Sequence, residues 1–120
     1  MKRGEIWTIA GGGDYTGKAR PVVILQDDRF DDLESVTVCA CTTDPTDLPL
    51  IRVRVTPSQK NGLRATTRVM ADKIIAVRRT RLRARIGELE GEEMRALGLA
   101  VMVFLGLADT GAAAEVAEEV

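Results

Sequence analysis

Histidine is absent from all 120 residues, and its absence removes several chemistries at once. A Ser-His-Asp triad, a nuclease built on paired acid–base histidines and a histidine-ligated zinc site all require imidazole. Cysteine is scarce, with Cys39 and Cys41 the only two. They stand two apart in a β-branched run, where same-face side chains lie about 7 Å apart along an extended strand, a poor geometry for a mutual disulfide. Two thiols do not complete a zinc site either, so both are expected to be reduced strand or core residues. The aromatic residues are few: Trp7, Tyr15, Phe30 and Phe104. A protein that binds single strands by stacking bases interleaves more rings with its basic residues. Long apolar runs are lacking too. The longest, Ala96 to Ala108, has 13 residues, short of the ~20 that span a bilayer. The polar opening Met1-Lys2-Arg3-Gly4 does not read as a secretory signal. The expectation is a cytoplasmic protein with no membrane partner.

What is present is a chain that is 45% apolar, enough to bury a core, and a charge balance that hides its own pattern. The net charge is −1, from 17 basic and 18 acidic side chains. Residues 1–50 carry a net −4 and residues 86–120 a net −7, whereas residues 51–85 hold 11 basic side chains and one acidic, a net of +10. A segment of that sign can neutralise phosphates if its charges share a surface. They could also be solvated charges balanced by the acidic flanks.

Short β-rich segments dominate the first two-thirds. Glu5–Ile9 ends at Gly11-Gly12-Gly13, read as a strand and a loop. Pro21–Leu25 and Ser35–Cys41 follow. Ile51–Val55 alternates, with Ile51, Val53 and Val55 directed inward and Arg52 and Arg54 outward. Thr66–Met70 and Lys73–Val77 read as two more strands after an Asn61-Gly62 turn. The period then changes: Met94, Leu97, Val101 and Leu105 follow Glu88, Glu90, Glu92 and Glu93. This predicts a helix with an acidic first turn, closed by Gly106. The expected architecture is mainly β with a C-terminal helix, a small barrel or half-open sheet over residues 1–108, followed by an acidic tail at 109–120.

One motif misleads. Gly12-Gly13-Asp14-Tyr15-Thr16-Gly17-Lys18 fits G-x-x-x-x-G-K, but Ala19 stands where a phosphate-binding loop needs Ser or Thr. Arg20 precedes Pro21, which disfavours the helix that would receive a phosphate, so nucleotide binding is not expected.

Three pieces arrive in a telling order: Arg3-Gly4-Glu5-Ile6-Trp7; then Lys18-Ala19-Arg20-Pro21-Val22-Val23-Ile24; then Cys41-Thr42-Thr43 with Asn61-Gly62-Leu63-Arg64 and Val69-Met70-Ala71-Asp72-Lys73-Ile74. Together they resemble the MazF/PemK/Kid family of toxin–antitoxin ribonucleases from about Lys2 to Leu107. The resemblance implies an SH3-like small β-barrel of the CcdB/PemK type. It also implies a homodimer and a sequence-specific cut in single-stranded RNA, such as mRNA, needing no metal and no other cofactor. A cognate acidic antitoxin would inhibit it. The family's catalytic arginine, immediately before the proline, falls on Arg20, and its strand-closing threonine falls on Thr42, with Thr43 beside it. An aspartate implicated in acid–base chemistry in some members falls on Asp72. Many members have a Glu five residues before that arginine, where this chain has Tyr15. Members that use the aspartate often have an Arg two residues earlier, where this chain has Met70. Asp14, Tyr15 and Asp72 therefore all stand as candidates for the general base.

The residues themselves suit that chemistry. RNA carries its own nucleophile, the 2′-OH, so the protein need only stabilise charge on the phosphate oxygens and manage a proton. A planar Arg fork beside a rigid proline does the first better than Lys. Lys18, Thr43, Arg52, Arg54, Arg64 and Arg68 are the candidate RNA contacts, and the arginines from Arg78 to Arg85 could meet either RNA or an acidic antitoxin segment. Asp72 could equally form an ion pair with a neighbouring cation, and Trp7 reads as a core or interface anchor. Two other functions remain open on the same fold: a non-catalytic RNA-binding module, and a gyrase inhibitor resembling CcdB. The latter branch relies on a Trp near its C-terminus, which this chain lacks.

Overall fold

The computed structural model describes residues 1–10 and 20–108. Six strands, β1 (Glu5–Ile9), β2 (Arg20–Ile24), β3 (Ser35–Thr42), β4 (Arg52–Val55), β5 (Thr67–Arg78) and β6 (Leu82–Glu88), form an antiparallel sheet in the order β4-β5-β3-β2-β1-β6. The helix α1 (Gly91–Phe104) packs against β4 and β5. Mainly β with one C-terminal helix is thus the observed class.

Two apolar clusters form, and the strand sequences explain why. Val22, Val23 and Ile24 are all buried, because β2 is covered on both faces. Val23 joins Ile6, Cys39, Cys41, Val55, Val69, Leu97 and Ala100 under the helix. Val22 and Ile24 join Ile9, Val36, Val38, Val77 and Leu82, flanked by Met1 and Trp7. Both cysteines are buried and free, as the sequence suggests. Burial pushes the Cys39 thiol up to about 11 and the Cys41 thiol higher still, so neither is a thiolate nucleophile near neutrality.

The sheet curls until the segment after β4 meets β6. The Glu88 N–H donates to the Lys60 carbonyl at 3.0 Å. Two glycines make this approach possible: a Cβ on Gly87 would sit 2.3 Å from the Asn61 carbonyl carbon, and one on Gly62 would sit 2.0 Å from the Ile86 oxygen. Asn61 is buried at 3% exposure but fully engaged. Its Oδ1 accepts from the Ser58 and Leu63 N–H groups, and its Nδ2 donates to the Thr56 carbonyl. The Asn61-Gly62 turn is therefore the seam of the curl, which joins without a β4–β6 ladder among the described residues.

Three expectations need correction. Thr66–Met70 and Lys73–Val77 are one strand, β5. Against β3 its register jumps from Cys39↔Ile74 to Cys41↔Val69, so Met70 to Lys73 form a bulge that looks like a break in the sequence. The segment Leu82–Glu88 is a further strand not among the expected ones, and Glu88 belongs to it rather than to the first turn of the helix. The helix begins at Gly91 and is capped by Glu90. The Glu90 N–H donates to Glu93 Oε1 at 2.8 Å in a capping box. Gly106, with φ 71°, ends the helix as expected: its N–H and that of Leu107 donate back to Val103 and Met102. The expected glycine loop and the 109–120 tail lie outside the described residues, as do Asp14, Tyr15 and Lys18.

Candidate functional site

The opening Arg3-Gly4-Glu5-Ile6-Trp7 turns out to be architecture. Glu5 accepts from the Lys2 N–H at 3.0 Å, from Trp7 Nε1 at 2.9 Å and from Arg85 Nε at 3.0 Å. Partial burial pushes the Glu5 pKa upward, but these three donors outweigh it and hold the carboxyl below its usual range. Gly4 ties β2 to β6: its N–H donates to Ile24 and its carbonyl accepts from Leu89. Trp7 is half-buried against the second cluster, the anchor role suggested by its sequence context.

The functional candidates gather elsewhere, on one face at the other end of the sheet. Directly opposed residues in an antiparallel pair share a face. Thr42 of β3 opposes Arg68 of β5, and Arg68 opposes Arg54 of β4. Arg52 opposes Met70 one pleat further along. On the other side Val22 opposes Ala40, and the same register carried two residues on brings Arg20 toward Thr42. Arg20, Thr42, Arg68, Arg54 and Arg52 thus line up across four neighbouring strands. Arg20 is exposed at the start of β2, directed by Pro21.

Thr42 already has a partner that orients it. Its Oγ1 accepts the Asp44 N–H at 3.0 Å, which leaves the hydroxyl proton available for donation. Asp44 in turn accepts from the N–H and hydroxyl of Thr46, which hold its carboxyl below the usual range. Among the described residues no carboxylate lies within salt-bridge distance of Arg54, Arg64 or Arg68. Arg68 Nε is buried without an acceptor.

Arg52 differs from these. Its Nε and Nη2 face Asp72 Oδ1 and Oδ2 at 3.4 and 3.2 Å, with the two side chains 13% and 15% exposed. Arg52 is therefore on the outward face yet largely covered, and Asp72 takes the ion-pair role left open by the sequence. Burial pushes the Asp72 carboxyl up, but the Arg52 hydrogen bond and charge outweigh it, and its pKa lies below the usual carboxylate range.

Two grooves flank Pro21. One, of about 430 Å³, is lined by Thr8, Thr43, Leu63, Arg64, Thr67 and Ile86 with Pro21 on its wall. The other, about 190 Å³, runs past Arg20, Ala40, Met70, Ile75 and Arg81. Thr43 and Arg64 thus meet across a cleft next to the arginine row rather than within it. Thr8 and Thr67 line this groove without any signal in the sequence, since a lone Thr in a strand carries none until the register places it. Among the described residues no group of three or more Cys, Asp and Glu is placed to hold a metal ion.

With this geometry in place, comparison with known proteins is decisive. The profile of the PemK-like, MazF-like toxins of type II toxin–antitoxin systems matches residues 2–105. This chain belongs to that family. It is 48% identical over 108 residues to a protein of Mycolicibacterium smegmatis named probable endoribonuclease MazF, covering 90% of this chain and 99% of that one. Among solved structures, the Mycobacterium tuberculosis toxin MazF-mt6 superposes with a TM-score of 0.70 at 29% identity, over 86% of this chain and 99% of that one. A mycobacterial endoribonuclease in complex with its cognate antitoxin shares the fold, with a TM-score of 0.77 at 23% identity over 92% of this chain and 99% of that one.

Proposed function

We propose that this chain is a sequence-specific endoribonuclease toxin that cuts single-stranded mRNA without a metal ion. The observation that carries this reading is the row Arg20, Thr42, Arg68, Arg54 across four strands in a member of the PemK/MazF family. The substrate's 2′-OH attacks the adjacent phosphorus in line, the bond to the 5′-oxygen breaks, and the products are a 2′,3′-cyclic phosphate and a 5′-OH. Arg20 stabilises the charge growing on the non-bridging oxygens. Thr42, its hydroxyl fixed by the Asp44 N–H, donates to the phosphate or orients the 2′-OH. Asp14, Tyr15 and Asp72 are the candidates for the proton acceptor. Arg52, Arg54, Arg64, Arg68 and Lys18 contact neighbouring phosphates and base edges, and Thr43 lies at the cleft through which a base can be read.

Inhibition by an acidic antitoxin follows from the same surface: a carboxylate-rich segment satisfies Arg54, Arg64 and Arg68 in place of phosphates. A homodimer is part of this reading, since the outer face of α1 exposes Leu99, Met102 and Phe104; light scattering at micromolar concentration gives its mass. The site of action is the cytoplasm, where mRNA is found.

The decisive experiment incubates the protein with a long RNA in EDTA. Cleavage at a short motif that Arg20→Ala abolishes supports the reading. Salt-sensitive binding without cleavage would instead make the chain a binding module, and inhibition of gyrase would place it with the CcdB branch. Thr42→Ala is expected to slow cleavage with an almost unchanged melting temperature.

A further inference from the structure

We propose that Asp72 is a positioning residue: it holds Arg52 as a phosphate-binding arm beside Arg68 and Arg54, and it takes no part in moving the 2′-OH proton. This rests on the ribonuclease reading and assigns Asp72, one of its three candidate proton acceptors, a different role.

The geometry argues as follows. Asp72 sits on the bulge between Met70 and Lys73, where β5 carries more residues than β3 can match, and the bulge re-aims its side chain at Arg52 of the neighbouring strand. The contact is side-on and forked, Nε to Oδ1 and Nη2 to Oδ2. A guanidinium has five N–H donors, so this arrangement occupies one edge and leaves Nη1 and the second Nη2 hydrogen pointing away from Asp72. Arg52 shares its face with Arg54, Arg68 and Thr42. On the same face Arg68 has no carboxylate partner among the described residues, and its buried Nε lacks an acceptor. A phosphate laid on this face meets Arg52, Arg54 and Arg68 together, of which Arg52 alone already has a carboxylate partner among the described residues. Both carboxylate oxygens of Asp72 are meanwhile engaged by Arg52. Burial opposes its charge, but Arg52 and the adjacent Lys73 favour the carboxylate and prevail. The other titratable neighbour, the Cys39 thiol, is neutral. A base held that firmly in its ionised form is a poor acceptor for a ribose proton.

The test compares wild type, Asp72→Asn, Arg52→Lys, Arg52→Ala and the Arg52→Ala/Asp72→Asn double variant on a fluorescent RNA carrying one cleavage motif. Each is assayed for kcat and KM across pH, after circular dichroism shows that it is folded. The expected result for Asp72→Asn is a KM raised about tenfold with kcat within about threefold of wild type, and a double variant no worse than Arg52→Ala alone. Arg52→Lys keeps a charge but cannot form the fork, so it raises KM and leaves the acidic limb of the kcat profile in place. If Asp72 were the base, loosening its partner would raise its pKa and move that limb to higher pH. That movement, or a hundredfold loss of kcat at constant KM in Asp72→Asn, overturns the proposal. Should Asp72→Asn fail to fold, the Arg52→Lys profile decides alone. Absence of cleavage by wild type would instead sink the ribonuclease reading itself.

Discussion

The two ends of the sheet use most of their arginines differently. Near β6, Arg79, Arg81 and Arg85 are consumed by the fold, and Arg83 alone on that strand has no salt-bridged carboxylate among the described residues. Arg79 Nη1 lies 3.3 Å from Asp31, and its other nitrogens donate to the carbonyls of Leu33 and Asp31. Arg85 bridges Glu5 at 3.0 Å and Glu88 at 2.8 Å, and Arg81 donates to the Ala10 carbonyl at 2.9 Å. At the β3–β5–β4 end Arg54, Arg64 and Arg68 have no salt-bridged carboxylate among the described residues, and Arg68 keeps a buried donor unmet. The same residue type from the same +10 segment thus stands in two settings. A count of charges does not separate them; the partners each cation already has do.

The largest effect that tests this contrast sets Arg20→Ala against Arg79→Ala. Removing Arg20 is expected to lower the cleavage rate by about 10²–10³, the magnitude of a lost oxyanion-type donor, with little change in melting temperature. Removing Arg79 does the reverse. It leaves the carbonyls of Asp31 and Leu33 short of a donor at a partly exposed site, where the Met1 ammonium still faces the Asp31 carboxylate, costing about 1–2 kcal/mol of stability, or roughly 5 °C for a domain of this size. Cleavage per folded molecule stays within about twofold. Thermal melts and rates on the same samples check both, and a crossed result, with Arg79 needed for chemistry, would erase the distinction.

The strands and the shared face of Arg52 and Arg54 were legible in the sequence; the separation of the arginines was not, for a physical reason. The alternation of Ile51 to Val55 placed Arg52 and Arg54 on one face, and the order of motifs placed Arg20 beside Pro21. What a linear reading could not supply was pairing. The β5 bulge at Met70 to Lys73 breaks the period-two pattern, so one strand read as two, and the partner of Asp72 lay 20 positions away. The strand Leu82–Glu88 was masked by its arginines, although Leu82, Ala84 and Ile86 alternate with Arg83 and Arg85. Arg-rich strands of this kind look like binding segments until their salt-bridge partners, here Glu5 and Glu88, are known.

A smaller effect probes the open end directly. Arg68→Met removes a buried donor that has no acceptor, together with a like-charge neighbour of Arg54, while filling similar space. Stability is expected to hold or rise by up to about 1 kcal/mol. RNA affinity falls, and the slope of log K against log salt drops by about 0.7, one phosphate contact on a single strand. Stability lost on this substitution would mean that Arg68 belongs with Arg79 among the structural arginines.

The smallest expected effect is a titration. The Asp72 pKa lies below its ordinary value of 3.8 because Arg52 favours the ionised form over the cost of burial. A carboxylate with a lowered folded-state pKa contributes stability that is complete above its unfolded value and is lost as pH falls through the lowered one. Wild type should therefore melt above Asp72→Asn by a constant margin from about pH 5 upward, with the gap narrowing from about pH 4 downward as Asp72 protonates. Glu5, held by three donors at the opposite end, gives the matching control: Glu5→Gln shows its own acid-dependent gap, with cleavage by the folded enzyme unaffected. A gap for Asp72→Asn that stays the same down to pH 2 would show that the Arg52 contact carries no net stabilisation. Asp72 would then be retained for the direction it gives Arg52, and the open end of the sheet would owe its order to packing alone.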